Sequence, residues 1–289
     1  MAKPLAKASW PGWFTDQQLA GEYAQSLARQ LSASVNAGQL AAAWLALHGT
    51  DTTQPASAMN EVTKARRRKR RRRRRSGGQQ QPAAQQPPQP VTSPRQFLIA
   101  QGVTAAISAI ITSLLAQLWG AALTMGWASA VMVLGIGEIK GVEEALAKLL
   151  AAGQDRIAGI VQTRLSRLER VLLAALADGI SVDELAQQIR DILGSLTSAL
   201  LVTQSETTWA SGWAAYWVYK LAGIKWVRWQ TRNDGRVCGR CRANQAASPI
   251  RLGQKFPSGD RRPLAHPRCR CSLLPAANPK SQTTTAQAA

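Results

Sequence analysis

Every cysteine of this chain, and one of its two histidines, falls in two short motifs: Cys238-Gly-Arg-Cys241 and, after 24 intervening residues, His266-Pro-Arg-Cys269-Arg-Cys271. A Cys-x-x-Cys turn can set two thiolates side by side, and a second turn carrying His and Cys can close a tetrahedral site from the opposite direction. Zinc suits that arrangement. Five donors are offered for four positions, so one of them is left over. If residues 269–271 are extended, Cys269 and Cys271 point to one side and Arg270 to the other. The expected ligands are therefore Cys238, Cys241, His266 and Cys269, with Cys271 as the alternate. A cytosolic setting, where thiols stay reduced, favours metal over disulfides, and Met1 to Ala20 carries Lys3, Pro4, Lys7 and Pro11 but no apolar run that would read as a signal peptide.

The net charge of +20 is unevenly spread. Lys64, Arg66, Arg67, Arg68, Lys69, Arg70, Arg71, Arg72, Arg73, Arg74 and Arg75 place eleven positive charges in twelve residues. Lys225 to Arg270 adds twelve basic against two acidic residues, a net of ten. The rest of the chain is close to neutral, so a polyanion is the expected partner. The arginine run predicts DNA binding through phosphates, without base preference, because phosphate contacts carry no sequence information.

Composition divides the chain further. Residues 1–51 read as an N-terminal helical segment. Thr15-Asp-Gln-Gln18 is a predicted capping box, Leu19, Tyr23, Leu27 and Leu31 recur at helical spacing, and a second helix through Leu40 and Leu47 stops before Gly49. His48 has no metal-spaced companion and reads as a surface side chain. Residues 52–95 form a basic, Gln/Pro-rich flexible arm: Ser76 to Pro94 holds six glutamines and five prolines and no plausible core.

Residues 96–137 are an apolar helical segment with no charged residue from Gln96 to Gly137. Its 42 residues could cross a bilayer twice, since about 20 suffice for one helix. Ala122, Gly126 and Ala130, four apart, equally allow close helix packing inside an assembly, and the alanine content with Gln101 and Gln117 favours that reading.

Residues 138–224 form a helical region, with apolar positions from Leu146 to Leu176 spaced by three and four, a stop at Gly179, and a capping box at Ser181-Val-Asp-Glu184. A later helix carries Trp209, Trp213, Tyr216 and Trp217, expected to serve as core. Glu206 is expected to cap that helix or to pair with an arginine of the basic lobe. Residues 225–275 make a small lobe: Lys225 to Gln230 alternates as a strand with Trp226 and Arg228 on one face and Val227 and Trp229 on the other, and Asn233-Asp234-Gly235 signals a turn. So little apolar surface leaves room for a metal to supply folding free energy. Residues 276–289 read as a disordered tail. The fold class expected is α+β, mostly helical, with long helices followed by the Cys/His lobe.

Trp229-Gln-Thr231-Arg-Asn-Asp234-Gly-Arg-Val-Cys238-Gly-Arg-Cys241, Asn244, Gly253-Gln-Lys-Phe256-Pro-Ser-Gly259 and Pro263-Leu-Ala-His266-Pro-Arg-Cys269-Arg-Cys271 together resemble the C-terminal domain of phage Mu F-like minor head (head morphogenesis) proteins. Thr203-Gln-Ser-Glu206 and Gly223 stand where that family has its Thr-Glu helix and following glycine, though Ser205 and Leu264 depart from the usual residues. The resemblance implies a non-enzymatic virion component assembled in the host cytoplasm. It would sit in the phage head interior or portal region, with portal protein, other capsid components and packaged DNA as partners, in an oligomeric assembly, and would act in head assembly and in DNA delivery. Two other classes stay open: a membrane-inserting ejection protein, and a zinc-dependent nucleic-acid enzyme. Catalysis is weakly supported, because the only acids in the lobe are Asp234 and Asp260 and His266 alone completes no nucleophile, base and orienter set.

Overall fold

The computed structural model describes residues 12–49 and 92–279. The arginine run from Lys64 to Arg75, most of the Gln/Pro-rich arm and the tail from residue 280 lie outside these residues. Among those described, nine helices and one small sheet make a mostly helical α+β chain: α1 (Gly12–Ala33), α2 (Ala37–Leu47), α3 (Pro94–Ala100), α4 (Val103–Leu134), α5 (Val142–Ala152), α6 (Gln154–Asp178), α7 (Val182–Leu193), α8 (Leu196–Leu221), β1 (Trp226–Gln230), α9 (Gly239–Ala246), β2 (Ile250–Arg251) and β3 (Ser272–Ala276).

Local chemistry explains most of the boundaries. The Asn36 side chain accepts from the Gln39 amide to start α2. Ser93 and Gln96 exchange bonds in a full capping box, with Pro94 in the first turn where its missing N–H costs nothing. Ser181 accepts from the Glu184 amide to start α7, and Gly179, at φ +64°, closes α6 with its amide bonded to Ala175 O. α1 begins at Gly12, upstream of the start that the Thr15 pattern predicts. The long helical pattern after Glu138 is interrupted at Gly153, between α5 and α6; a Cβ there would lie 2.2 Å from Trp119 Cζ3, so the indole occupies the space a side chain would need. The uncharged segment makes one short and one long helix, of which only α4 is long and apolar enough to cross a membrane among the described residues.

The chain divides into two compact units. One takes in the described residues of 28–110 and 158–195. There α2 packs on α7, the Trp44 indole donates to Leu172 O at 2.8 Å, and Trp44 stacks against Phe97 at 4.9 Å. His48 is half-buried, its ring 4.3 Å from that of Trp44, so it is a packing residue and not a free surface side chain. Arg164 is buried and donates to Ile192 O at 2.6 Å; burial lowers its pKa to about 10.

The other unit takes in the described residues up to Leu27, 111–157, and those from Leu196 on. Its axis is α8 against α4. Gly126 lets the two backbones meet, since a Cβ there would come within 2.8 Å of Ser211 Cα, and Ala122 and Ala130 are fully buried beside it. Small residues four apart thus serve helix packing. Glu206 is buried in the middle of α8, where it accepts two bonds from Arg156, at 2.8 and 2.5 Å, and one from the Trp119 indole at 3.2 Å. It neither caps the helix nor pairs within the basic lobe. Trp209 is buried, whereas Trp213, Tyr216 and Trp217 are only half-buried, so the aromatic stripe is core at one end and surface at the other.

After Gly223 the chain turns into the antiparallel sheet, ordered β2-β1-β3, with Trp226 opposite Arg251 and Trp229 opposite Leu273. Val227 and Trp229 face inward, and Trp229 packs edge-on against Phe256 at 5.0 Å.

Candidate metal centre

α9 starts at the first cysteine. Cys238 is its N-cap, extended at φ −75° and ψ 161°, and its Sγ accepts from the Cys241 amide at 3.4 Å. This turn places both thiols of the Cys-x-x-Cys pair on one side, with an amide already directed at the sulfur that would carry negative charge. Asn244, fully buried one turn later, fastens α9 to the loop beyond Phe256: its Nδ2 donates to Ser258 Oγ at 2.9 Å and its Oδ1 accepts from the Ser258 amide at 3.0 Å.

The second arm is held by α8. Arg268, at φ +59°, donates its amide to Ser205 Oγ at 3.0 Å, and Thr208 Oγ1 donates to Cys269 O at 2.8 Å. Just beyond, the Tyr219 hydroxyl donates to Leu273 O at 3.2 Å. Three polar side chains of one helix thus grip the backbone on both sides of Cys271. The hydrophobic pattern gave no hint of this, because hydroxyls at 205 and 208 look like ordinary helix-surface residues until their partners are known.

The five donors converge in two overlapping sets. Cys238, Cys241 and His266 form one and Cys241, Cys269 and Cys271 the other, with the ligand atoms of each set within 4.8 Å of one another. His266 Nε2 lies 3.2 Å from Cys238 Sγ and 3.1 Å from Cys241 Sγ, and Cys241 Sγ lies 3.9 Å from Cys269 Sγ. Two thiolates on a tetrahedral ion with bonds of about 2.3 Å stand about 3.8 Å apart, so that last spacing fits. His266 Nδ1 donates to Pro267 O at 2.7 Å, which leaves Nε2 as the ring's free lone pair, directed at the thiols. Cys241 belongs to both sets and is the pivot of the cluster.

The three inner sulfurs cannot all ionise together. Contacts from Cys241 and then Cys271 hold the Cys269 thiol far below its usual range. The contact with Cys269 pushes Cys241 up, with Cys271 and burial adding to the effect. Cys271 is lowered by Cys241 but raised more by Cys269 and by burial, to about 12. A divalent cation in place of the shared protons would relieve this repulsion. The donor chemistry, the spacing and the oriented histidine all fit such an ion.

Arg270 points away from the sulfurs, as an extended Cys-x-Cys requires, and its two terminal nitrogens bond to the Asp234 carboxylate at 2.6 and 2.8 Å. Thr231 is buried, hydrogen-bonds to Asn233 at 2.8 Å and also to Gln245 on α9, and so ties the turn after β1 to the first cysteine arm. Asp260 accepts from Ser258 Oγ at 2.8 Å.

No curated protein and no solved structure matches the chain. The family described as Phage Mu protein F like protein matches residues 166–274, a span that contains both cysteine arms, α9, the sheet up to Leu274 and the gripping residues of α8. The C-terminal region of this chain, about the last two fifths of it, is thus similar to the Phage Mu protein F like family.

Proposed function

We propose that the protein is a minor capsid component of a tailed phage or prophage, acting in head morphogenesis at the portal and contacting packaged DNA. The observation that carries this reading is that the family match covers both cysteine arms together with the helix that grips them. In this reading the lobe binds one zinc as a structural ion, through Cys238, Cys241, His266 and Cys269, with Cys271 as alternate. The ion would fix the angle between the two arms, while Ser205, Thr208 and Tyr219 fix the second arm to α8. A structural role is favoured over a catalytic one because neither donor set contains a carboxylate that could act as a base, and Asp234 is paired with Arg270. Lys64 to Arg75 would bind DNA by charge alone, and α4 would pack inside the assembled oligomer.

The test is genetic and biochemical. A phage or prophage carrying this gene with an epitope tag should yield purified particles containing the protein, and its deletion should give few DNA-filled heads. Normal infectious particles from the deletion, with no tagged protein in the wild-type particle, would remove the reading. Changing Arg70 to Arg75 to Ser should flatten the salt dependence of DNA binding, which otherwise falls about 10³-fold or more between about 50 and 200 mM salt if six or more phosphates are contacted.

A further inference from the structure

The aromatic stripe of α8 is covered by cations. Arg156 lies over Trp209 at 4.8 Å, Arg262 over Trp213 at 4.1 Å and Tyr216 at 5.7 Å, and Lys148 and Lys220 over Trp217 at 4.6 and 4.7 Å. Arg156 is neutralised by Glu206 and Lys148 by Glu144. Arg262 has no such partner: among the described residues no carboxylate or carbonyl accepts from its guanidinium. Its Nε is buried without an acceptor, and so is Nε1 of Trp213, the ring on which it lies. Two neighbouring buried donors with nothing to donate to are costly, and native proteins rarely leave them so.

Position and charge define what is missing. Arg262 is half-buried, not enclosed, so the side on which an acceptor could meet the guanidinium is that of its terminal nitrogens. Burial, with repulsion from Arg261 and Arg156, lowers the Arg262 pKa to about 10, which leaves it protonated at neutral pH. The nearby Asp260 attracts the Arg262 charge but makes no hydrogen bond to it, accepting from Ser258 instead. The lobe as a whole carries twelve basic residues, Arg262 among them, and two acidic ones, with Arg228, Arg236, Arg242, Arg251 and Arg261 exposed. A planar guanidinium fixed on aromatic rings is pre-organised for a tetrahedral oxyanion and loses little entropy on binding it.

We propose that Arg262, seated on Trp213 and Tyr216 and flanked by Arg261, is a receptor for a phosphate group, supplied by a nucleic-acid backbone or by free phosphate. This site shares no residue with the Cys/His cluster or with the arginine run, and it makes the folded lobe itself an anion-binding surface.

The experiment uses the full chain and two probes. In thermal unfolding, inorganic phosphate should raise the midpoint by about 2 °C or more over sodium chloride at equal ionic strength, and Arg262→Gln should abolish that difference. Duplex DNA is then titrated against the chain in which Arg70 to Arg75 are Ser, with and without Arg262→Gln. The slope of log K against log salt should fall in magnitude by about 0.9, one phosphate contact, when Arg262 is lost. Both effects assign the site to nucleic-acid phosphate, protection with an unchanged slope assigns it to free phosphate, and a reduced slope alone assigns it to phosphodiester only. If phosphate protects no better than chloride and the slope is unchanged, Arg262 only packs on the rings and the proposal is overturned. Should Arg262→Gln fail to fold, the phosphate series on the unaltered chain and Arg262→Lys, which keeps the charge but not the fork, decide the matter.

Discussion

The Asp234 carboxylate grips both terminal nitrogens of Arg270, at 2.6 and 2.8 Å, and so joins the turn before Cys238 to the residue between Cys269 and Cys271. One ion pair links the two arms on the side away from the sulfurs. The Arg270 guanidinium holds the Asp234 carboxyl down at about 2, from an ordinary 3.8. A carboxyl depressed in the folded state contributes stability that is complete above its unfolded pKa and lost as pH falls towards the folded value. The difference in stability between the unaltered chain and Asp234→Asn, measured by denaturant unfolding, should therefore be constant from about pH 7 to about pH 5 and should close between about pH 4 and about pH 2. A difference that persists undiminished at about pH 2 would refute this account of Asp234.

Gly212 and Gly120 should respond to alanine with opposite signs. A Cβ at Gly212 would lie 2.5 Å from the Pro263 carbonyl oxygen, so Gly212→Ala must push the second cysteine arm off α8, at about 1–3 kcal/mol. Gly120 has nothing within 4 Å of a modest added methyl, and Gly120→Ala in the interior of α4 should stabilise by up to about 1 kcal/mol. Equal effects at the two positions would show that the contact with Pro263 is unimportant.

Much of the architecture is written in local pattern. The alternation from Trp226 to Gln230, the small residues at 122, 126 and 130, and the cap at Ser181 each follow from short-range sterics or one hydrogen bond, whereas the cap at Ser93 went unread inside what looked like a flexible arm. The convergence of the five Cys and His donors was legible for the same reason, because Cys-x-x-Cys spacing is itself geometry. The break at Gly153 was not, since it depends on the Trp119 ring, 34 residues earlier in the chain. Nor were the pairing of Glu206 with Arg156, 50 residues apart, and the grips of Ser205 and Thr208 on residues 268 and 269. Those contacts are set by tertiary packing, which periodicity does not encode.

Breaking the Glu206–Arg156 pair should be damaging, and removing both partners less so than the single losses suggest. Glu206→Ala leaves Arg156 facing Trp209 without a countercharge, and removing one member of a largely buried pair costs about 2–4 kcal/mol here, discounted because the Arg156 side chain is 30% exposed. Arg156→Met in the Glu206→Ala background should recover a substantial part of that loss, because no uncompensated charge remains. A double variant as unstable as the sum of the single ones would mean that the pair does not act as a unit.

Cys241 should matter most for metal. It is the thiol common to both donor sets, whereas Cys271 belongs to one. With chain purified under reducing conditions, mass spectrometry should find about one zinc per chain in the unaltered protein and in Cys271→Ser, and little in Cys241→Ser. Chelator should lower the unfolding midpoint of the first two and leave Cys241→Ser unchanged. If Cys271→Ser loses the ion while Cys238→Ser keeps it, the centre is built on Cys241, Cys269 and Cys271, and the assignment of His266 falls.

The long apolar helix offers the sharpest contrast between a head component and a membrane-inserting one. At 32 residues α4 rises about 48 Å, more than a bilayer core of about 30 Å requires. Length and composition therefore permit a span, but one face is already committed: Trp119 bonds to Glu206, Gly126 abuts Ser211, and 44% of the most apolar window is buried within the chain. Inserting α4 into lipid would forfeit those contacts and bare the polar residues of α8 that they cover. The full chain expressed in cells should accordingly partition into the soluble fraction as a large oligomer, and changing Ala122 and Ala130 to Leu should break the packing and shift the protein towards aggregates. Resistance of the unaltered chain to carbonate extraction from membranes, with solubility restored when residues 103–134 are deleted, would establish the ejection-protein reading in its place.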